Sequence, residues 1–231
     1  MNTQNALQVV PQRILTLPLR RPRINSLNSQ RVVFVLDASG SMAEANKAQD
    51  AGAACRDATG ALALPVNKDA FEVAVILFSD TARLVHDFTQ ATALAGRAAF
   101  LREEDVDGET NITAALFLTQ QILQRAAAKS PLAGVRYLRP FVVVMSDGEH
   151  NTGSDPIQAA TDLKGICDVL TVAFGDDADE EMLSRIASDQ LSVRCRNGTD
   201  LRRYFAEVGR TLTVTRAAGQ SPTQALASWQ Q

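Results

Sequence analysis

The chain has 231 residues, 45% of them hydrophobic, and a net charge of −3. This length and hydrophobic content fit one α/β domain of ordinary size around a single core. The slightly acidic balance argues against nucleic-acid binding, and no run approaches the ~20 apolar residues that a membrane-spanning helix needs. The three cysteines lack the paired spacing of a zinc site and are expected to be buried free thiols in a reducing cytoplasm.

Residues 1–29 are expected to form an arm outside the folded domain. They mix Gln, Asn and Pro with four arginines and show no sustained hydrophobic period. Such an arm is flexible, or ordered only on contact with a partner. The folded domain is expected to span residues 30–213, and residues 214–231 are expected to be a frayed C-terminal tail.

Four apolar, β-branched runs predict buried strands, and each run ends in acidic residues. Continuous runs of this kind are typical of parallel strands that are covered on both faces. The runs are Arg31–Leu36 (followed by Asp37), Phe71–Asp80, Phe141–Gly148 and Asp168–Asp177. The segment Thr81–Phe88 follows the second run with almost no linker, which predicts a tight hairpin to an antiparallel edge strand.

Between the strands, apolar residues recur at the i, i+3, i+4 spacing of amphipathic helices. Three such stretches are Ile112–Leu123, Met182–Ala187 and Leu201–Leu212. Strands that alternate with helices predict a doubly wound, mostly parallel α/β sheet, with one short antiparallel edge strand and helices on both faces. Ligands of such sheets bind where the carboxyl ends of the strands meet.

Oxygen-bearing side chains cluster at these predicted strand ends. Asp37, Ser39 and Ser41 place a carboxylate and two hydroxyls on alternate residues of a turn that follows the first strand. Asp147 ends another strand and would lie nearby if the two strands are neighbours. Thr110, just before a helix, could bring a further oxygen. Hard cations such as Mg²⁺ prefer oxygen ligands of this kind.

Three segments in order connect these residues to a known family. VFVLDASGSM closely resembles the Asp-x-Ser-x-Ser motif that follows the first strand of von Willebrand factor A (vWA) domains. GETNITAAL resembles the loop with the family's metal-site threonine, and VVVMSDGEHNTG resembles the strand and loop with its second aspartate. The resemblance implies a metal-ion-dependent adhesion site made of Asp37, Ser39, Ser41, Thr110 and Asp147. Thr113 is a local rival, but Thr110 matches the family position before Asn-Ile.

The resemblance implies a non-enzymatic adaptor. Its site would hold a divalent cation, Mg²⁺ first and Mn²⁺ as the alternative, and a carboxylate of a partner protein would complete the coordination shell. In relatives with this site, occupancy can be coupled to movement of the last helix, here Asp200–Leu212. The stretches FGDDADEEMLSRIASD and NGTDLRRYFAEVGRTL are similar to stand-alone bacterial TerY-like proteins of tellurium resistance. That similarity implies a phosphosignalling or stress-response assembly with a protein phosphatase or kinase, and neither nucleic acid nor membrane.

Two other functions remain open on the sequence. An aspartate after a first parallel strand beside Mg²⁺ also occurs in haloacid-dehalogenase-type phosphotransfer enzymes. The pattern typical of that class is Asp-x-Asp-x-Thr/Val, whereas Ser39 stands here in place of the second aspartate. The other alternative is a scaffold with a vestigial metal site. Individually, the aspartates and serines could also be helix caps or turn residues. A shared cation is favoured because it accounts for all three motifs together.

Overall fold

Strands and helices alternate along the chain in the computed structural model, which describes residues 28–96, 100–129, 134–189 and 191–227. The strands are β1 Asn28–Asp37, β2 Phe71–Phe78, β3 Ala82–Gln90, β4 Arg136–Tyr137, β5 Phe141–Ser146, β6 Asp168–Phe174 and β7 Ser192–Cys195. The α-helices are α1 Lys47–Leu62, α2 Ala91–Leu94, α3 Ile112–Ala127, α4 Pro156–Lys164, α5 Glu180–Ile186, α6 Gly198–Ala218 and α7 Thr223–Ala227. A 3₁₀ segment, Gly40–Asn46, connects β1 to α1.

All strands belong to one sheet with the order β3-β2-β1-β5-β6-β7, and the short β4 pairs with the start of β1. Every pair is parallel except β2 with β3. This confirms the predicted doubly wound, mostly parallel sheet with an antiparallel edge strand. The neighbours β1 and β5 are in register from Val32 opposite Phe141 to Leu36 opposite Met145. The ends of these two strands therefore lie side by side.

The core divides into two layers because successive side chains of a strand point to opposite faces. On β1, Val32, Phe34 and Leu36 pack into the layer covered by α1 and α6, and Phe34 stacks on Phe205 of α6 at 5.9 Å. Val33 and Val35 pack into the other layer, which α3, α4 and α5 cover. Burial on both faces explains why the strands read as continuous apolar runs.

Helices α1 and α6 pack closely because small residues line their contact. A Cβ built on Gly209 would lie 2.7 Å from the Cβ of Ala61 and 3.0 Å from the carbonyl oxygen of Ala58. No larger side chain fits that position without moving one helix. The absence of a side chain at Gly209 thus lets α6, which contains the predicted segment Asp200–Leu212, lie directly against α1.

The chain ends differ from the sequence expectation where the structure describes them. Strand β1 begins at Asn28, inside the predicted arm, and residues 1–27 lie outside the described residues. Residues 214–227 are not a frayed tail. Helix α6 continues to Ala218, the buried Arg216 donates from Nη1 to the carbonyl of Asn28 at 3.1 Å, and Leu226 of α7 is fully buried. Within the described ranges, no helix is long and apolar enough to span a membrane.

Candidate metal centre

Asp37 ends β1 at the carboxyl edge of the sheet, with no exposed surface. Its Oδ1 accepts a hydrogen bond from the backbone N–H of Ser39 at 2.9 Å, and its Oδ2 accepts one from the Ser146 hydroxyl at 2.5 Å. Burial raises the pKa of this carboxyl to about 6, against these hydrogen bonds, and the nearby Asp147 adds to the rise. The fold therefore places an anion where water cannot solvate it.

Asp147 follows β5 and is likewise fully buried. The Ser41 hydroxyl donates to Asp147 Oδ1 at 2.7 Å, and the hydroxyl oxygens of Ser39 and Ser41 lie 3.2 Å apart. The motif after β1 and the aspartate after β5 are thus in direct contact. The adjacency of β1 and β5, which the sequence could only suppose, brings these residues together.

Thr110 reaches the same edge from the loop before α3. A Cβ built on Gly148 would lie 3.7 Å from the hydroxyl oxygens of both Ser41 and Thr110, so both oxygens border the same backbone. Thr110 is 3% exposed, and its N–H donates to Asn151 Oδ1 at 2.8 Å. All five residues that the sequence analysis grouped therefore meet at one edge of the sheet.

Backbone hydrogen bonds hold the contributing loops against each other. Gly40 N–H donates to the carbonyl of Gly108 at 3.0 Å, and Asp107 N–H donates to the carbonyl of Ala38 at 2.9 Å. Gly108 has a φ of +78°, and a Cβ there would lie 2.3 Å from the carboxylate of Asp80. Only glycine avoids both the strain and the clash. The oxygens are thus positioned by the fold before any ligand arrives.

Thr113, the local rival of Thr110, is engaged elsewhere. Its hydroxyl donates to the carbonyl of Ser154, in the loop that precedes α4. Asn111 caps α3 by accepting from the N–H of Ala114 at 3.0 Å, which places Thr113 in the first turn of that helix. The geometry favours Thr110 as the oxygen donor of this loop.

Two further side chains touch the carboxylates and lie outside the set of site residues predicted from the sequence. Ser146 is the last residue of β5 and donates to Asp37. Lys47, the first residue of α1, donates from Nζ to Asp147 Oδ2 at 2.7 Å, and its side chain is 12% exposed. The Ser-Asp-Gly sequence at the end of β5 offered a signal for Ser146. No motif singled out Lys47, because its contact depends on how α1 crosses the sheet.

The donor set fits a divalent cation. It consists of two carboxylates and three hydroxyls, all oxygen, as Mg²⁺ and similar hard cations prefer. Among the residues that the structure describes, Lys47 is the one cationic side chain paired with either carboxylate. Two buried negative charges against one positive charge leave an excess that a bound cation would neutralise. The raised pKa of Asp37 reflects the cost of this burial.

The site opens into a cleft of about 690 Å³ whose walls are acidic. Asp147 and Glu149 line it from one loop, and Asp176 and Asp177 line it from the loop after β6. Arg194 of β7 pairs with Asp176 at 2.6 Å. Glu149 and Asp177 are exposed and form no ion pair within the described part of the chain. The rim therefore attracts cations and repels isolated anions.

Comparison with known sequences supports the resemblance noted from the motifs. The sequence matches the family described as von Willebrand factor type A domain over residues 32–206. A segment of 127 residues is 35% identical to the uncharacterized protein Rv2850c of Mycobacterium tuberculosis, and the match covers 54% of this chain and 18% of that protein.

Solved structures share the fold. The von Willebrand factor type A protein from Catenulispora acidiphila superposes with a TM-score of 0.63 at 22% identity, covering 80% of this chain and 43% of that one. Proximal thread matrix protein 1 from the mussel byssus, solved with a zinc-occupied metal-ion-dependent adhesion site (MIDAS), gives a TM-score of 0.60 at 18% identity over 82% and 47% of the two chains. The chain spans less than half the length of each of these relatives.

Proposed function

Because this chain belongs to the von Willebrand factor type A domain family, we propose that it is a metal-dependent protein-binding adaptor. Domains of this family are generally protein-interaction modules rather than enzymes. In the proposed function, a divalent cation held at the carboxyl edge of the sheet bridges the domain to a carboxylate of a partner protein. Mg²⁺ is the proposed ion, and Mn²⁺ is the alternative.

The observation that carries this proposal is the convergence of buried oxygens from three loops. The proposed ligand set is Asp37, Ser39, Ser41, Thr110 and Asp147. Three of its members are neutral hydroxyls, so a divalent ion would keep part of its attraction for a further anion. The mussel protein with its zinc-occupied MIDAS supports metal binding by a domain of this fold. The bound ion would supply an electrophilic contact for the partner's carboxylate, and the residues of this chain would orient it.

The acidic rim narrows the kind of partner. An acidic side chain that approaches the site passes Glu149 and Asp177, whose unpaired charges oppose it. We therefore propose that the partner presents its carboxylate next to lysine or arginine residues, which pair with the rim. Electrostatic complementarity of this kind increases the association rate and the specificity more than the affinity itself.

The sequence resemblance to TerY-like proteins favours a bacterial phosphosignalling or tellurite-stress assembly, with a protein phosphatase or kinase as the partner. We also propose a cytoplasmic location. Its support is chemical: Cys55, Cys167 and Cys195 are all unpaired and buried, and burial raises the pKa of each thiol. Free thiols of this kind are typical of reducing compartments.

Calorimetric titration with Mg²⁺ and Mn²⁺ tests the metal site directly. Protein freed of metal by a chelator is expected to bind one equivalent, and Asp37→Asn is expected to abolish the binding without unfolding the domain. Asp57→Asn is the matched control, since it makes the same charge change on α1, where Asp57 pairs with Arg202 at 2.8 Å. Binding that survives Asp37→Asn, or folded wild-type protein that binds neither ion, would contradict the proposal and favour a scaffold with a vestigial site.

A further inference from the structure

We propose that Lys47 is a tethered competitor for the metal: its ammonium occupies Asp147 and thereby sets how tightly, and for which cations, the site binds. The inference rests on the proposed metal site. Lys47 belongs to none of the three motifs, and its expected effect is opposite to that of a ligand. Removal of Lys47 should improve metal binding.

The contact itself is close and sheltered. Lys47 Nζ lies 2.7 Å from Asp147 Oδ2, while the other oxygen of that carboxylate accepts from the Ser41 hydroxyl at 2.7 Å. The lysine side chain is 12% exposed and the aspartate side chain is fully buried. An ion pair with these exposures is little screened by solvent or salt. A cation that approaches Asp147 therefore meets a carboxylate with both oxygens already engaged.

The backbone conformation on both sides of Lys47 directs its side chain toward Asp147. The two residues before it, Ala45 and Asn46, have φ values of +49° and +61°, which is uncommon for residues other than glycine. Together they turn the chain from the 3₁₀ segment into α1. On the opposite side, Gly175 has a φ of +92°, and a Cβ there would lie 3.5 Å from Lys47 Cε and 3.7 Å from Nζ. The Lys47 side chain thus reaches the carboxylate by passing next to Gly175, where no side chain obstructs it.

The charge balance makes Lys47 a competitor of the metal for Asp147, and not a residue that supports metal binding. Asp37 and Asp147 carry two negative charges when both are ionised, and Lys47 neutralises one of them. A divalent cation added beside an unmoved Lys47 would leave the buried cluster with a net positive charge, and two cations on one carboxylate repel each other strongly in a low-dielectric site. Metal binding to Asp147 therefore requires the ammonium contact to loosen. A monovalent ion gains no charge advantage over the lysine already there.

Loss of the ammonium is expected to have two opposite consequences. Without divalent cations, Lys47→Met leaves a buried carboxylate with no positive partner among the described residues, which destabilises the fold. With divalent cations, the same substitution removes the competitor, so the affinity rises. A residue that only positions Asp147 for the metal would give the first effect together with a loss of affinity.

The test compares Mg²⁺ titrations of wild type, Lys47→Met and Lys47→Gln by calorimetry, with thermal unfolding measured in chelator and in Mg²⁺. Lys47→Gln keeps a polar donor and serves if the methionine variant folds poorly. Lys129→Met is the matched control for net charge, because Lys129 is exposed beyond the far end of α3, a 16-residue helix of roughly 24 Å. Both Lys47 variants are expected to bind Mg²⁺ about tenfold more tightly or better. In chelator, both variants are also expected to have a lower melting temperature than wild type. Addition of Mg²⁺ is expected to raise their melting temperature by more than it raises that of wild type.

Each outcome bears on a separate claim. Wild-type and Lys47 variants that bind Mg²⁺ equally, or variants that bind it more weakly, would overturn the competitor role and leave the proposed metal site intact. Wild-type protein that binds weakly while the Lys47 variants bind well would support the competitor role strongly. Absence of Mg²⁺ binding in every folded variant would overturn the proposed function, and the competitor role with it.

Discussion

Replacement of Asp37 by asparagine is expected to stabilise the protein at neutral pH when divalent cations are chelated, although it should abolish metal binding. The carboxyl of Asp37 has a pKa of about 6 in the folded protein, against an ordinary value of 3.8, chiefly because of burial. Asparagine has nearly the same shape and can still accept the N–H of Ser39. The variant therefore removes a buried charge and retains most of the packing.

The size and sign of the effect follow from proton linkage. Between the two pKa values the folded state holds a proton on Asp37 that the unfolded state has released, so stability falls as the pH rises through this window. The two values, 3.8 and about 6, correspond to about 3 kcal/mol at ~1.36 kcal/mol per pKa unit. This favourable contribution is fully present at pH values below the unfolded-state pKa and is lost at pH values above the folded-state pKa.

Urea unfolding of wild type and Asp37→Asn in chelator, across about pH 4 to about pH 7, measures this effect. Acidic groups that do not interact with Asp37 cancel in the difference between the two proteins, and Asp147 is the neighbouring carboxylate that does interact with it. The variant is expected to become more stable relative to wild type by roughly 2.5 kcal/mol from the low to the high end of that range, since pH 4 already lies above the unfolded pKa. Mg²⁺ should reverse the order at neutral pH by stabilising wild type alone. A stability difference that stays constant across the range would refute the account of Asp37 as a buried anion whose hydrogen bonds do not offset the cost of burial.

Three further substitutions, two of them paired with a glycine control, test the site and the packing of α6 on α1. Ser146→Ala removes the hydroxyl that donates to the carboxylate of β1 and is expected to cost about 1–3 kcal/mol in unfolding free energy and to weaken Mg²⁺ binding, as urea unfolding and calorimetry would show. Gly108→Ala adds both backbone strain and a clash and is expected to weaken Mg²⁺ binding, whereas Gly134→Ala, at a φ of +80° in open space, should cost stability alone. Gly209→Ala is expected to destabilise the domain by about 1–3 kcal/mol through overpacking of α6 on α1. Gly60→Ala adds a methyl group that meets no atom within 4 Å and should stabilise α1 by about 0.5–1 kcal/mol. Thermal unfolding would show a lower melting temperature for the first variant and a higher one for the second.

The sequence alone predicted the sheet because hydrophobic pattern is a local property. Strands buried on both faces read as unbroken apolar runs, and the helices between them show their own period. The C-terminal region was predicted wrongly for a related reason. Residues 214–227 were predicted to be a frayed tail, but the burial of Arg216 and Leu226 depends on partners far away in the chain, such as Asn28 for Arg216. Composition carries no information on such partners.

The candidate site also combines features set by the local sequence with features that depend on the tertiary structure. The types and order of Asp37, Ser39 and Ser41 are set by the sequence, since their spacing on one turn already aims oxygens at one region. That Asp147 lies within hydrogen-bond distance of Ser41 was decided by the pairing of β1 with β5, which joins residues 106 positions apart. The ammonium of Lys47 on Asp147 was decided by tertiary structure alone. An ion pair forms where the fold removes two charges from water together, and no local pattern in the sequence records that meeting.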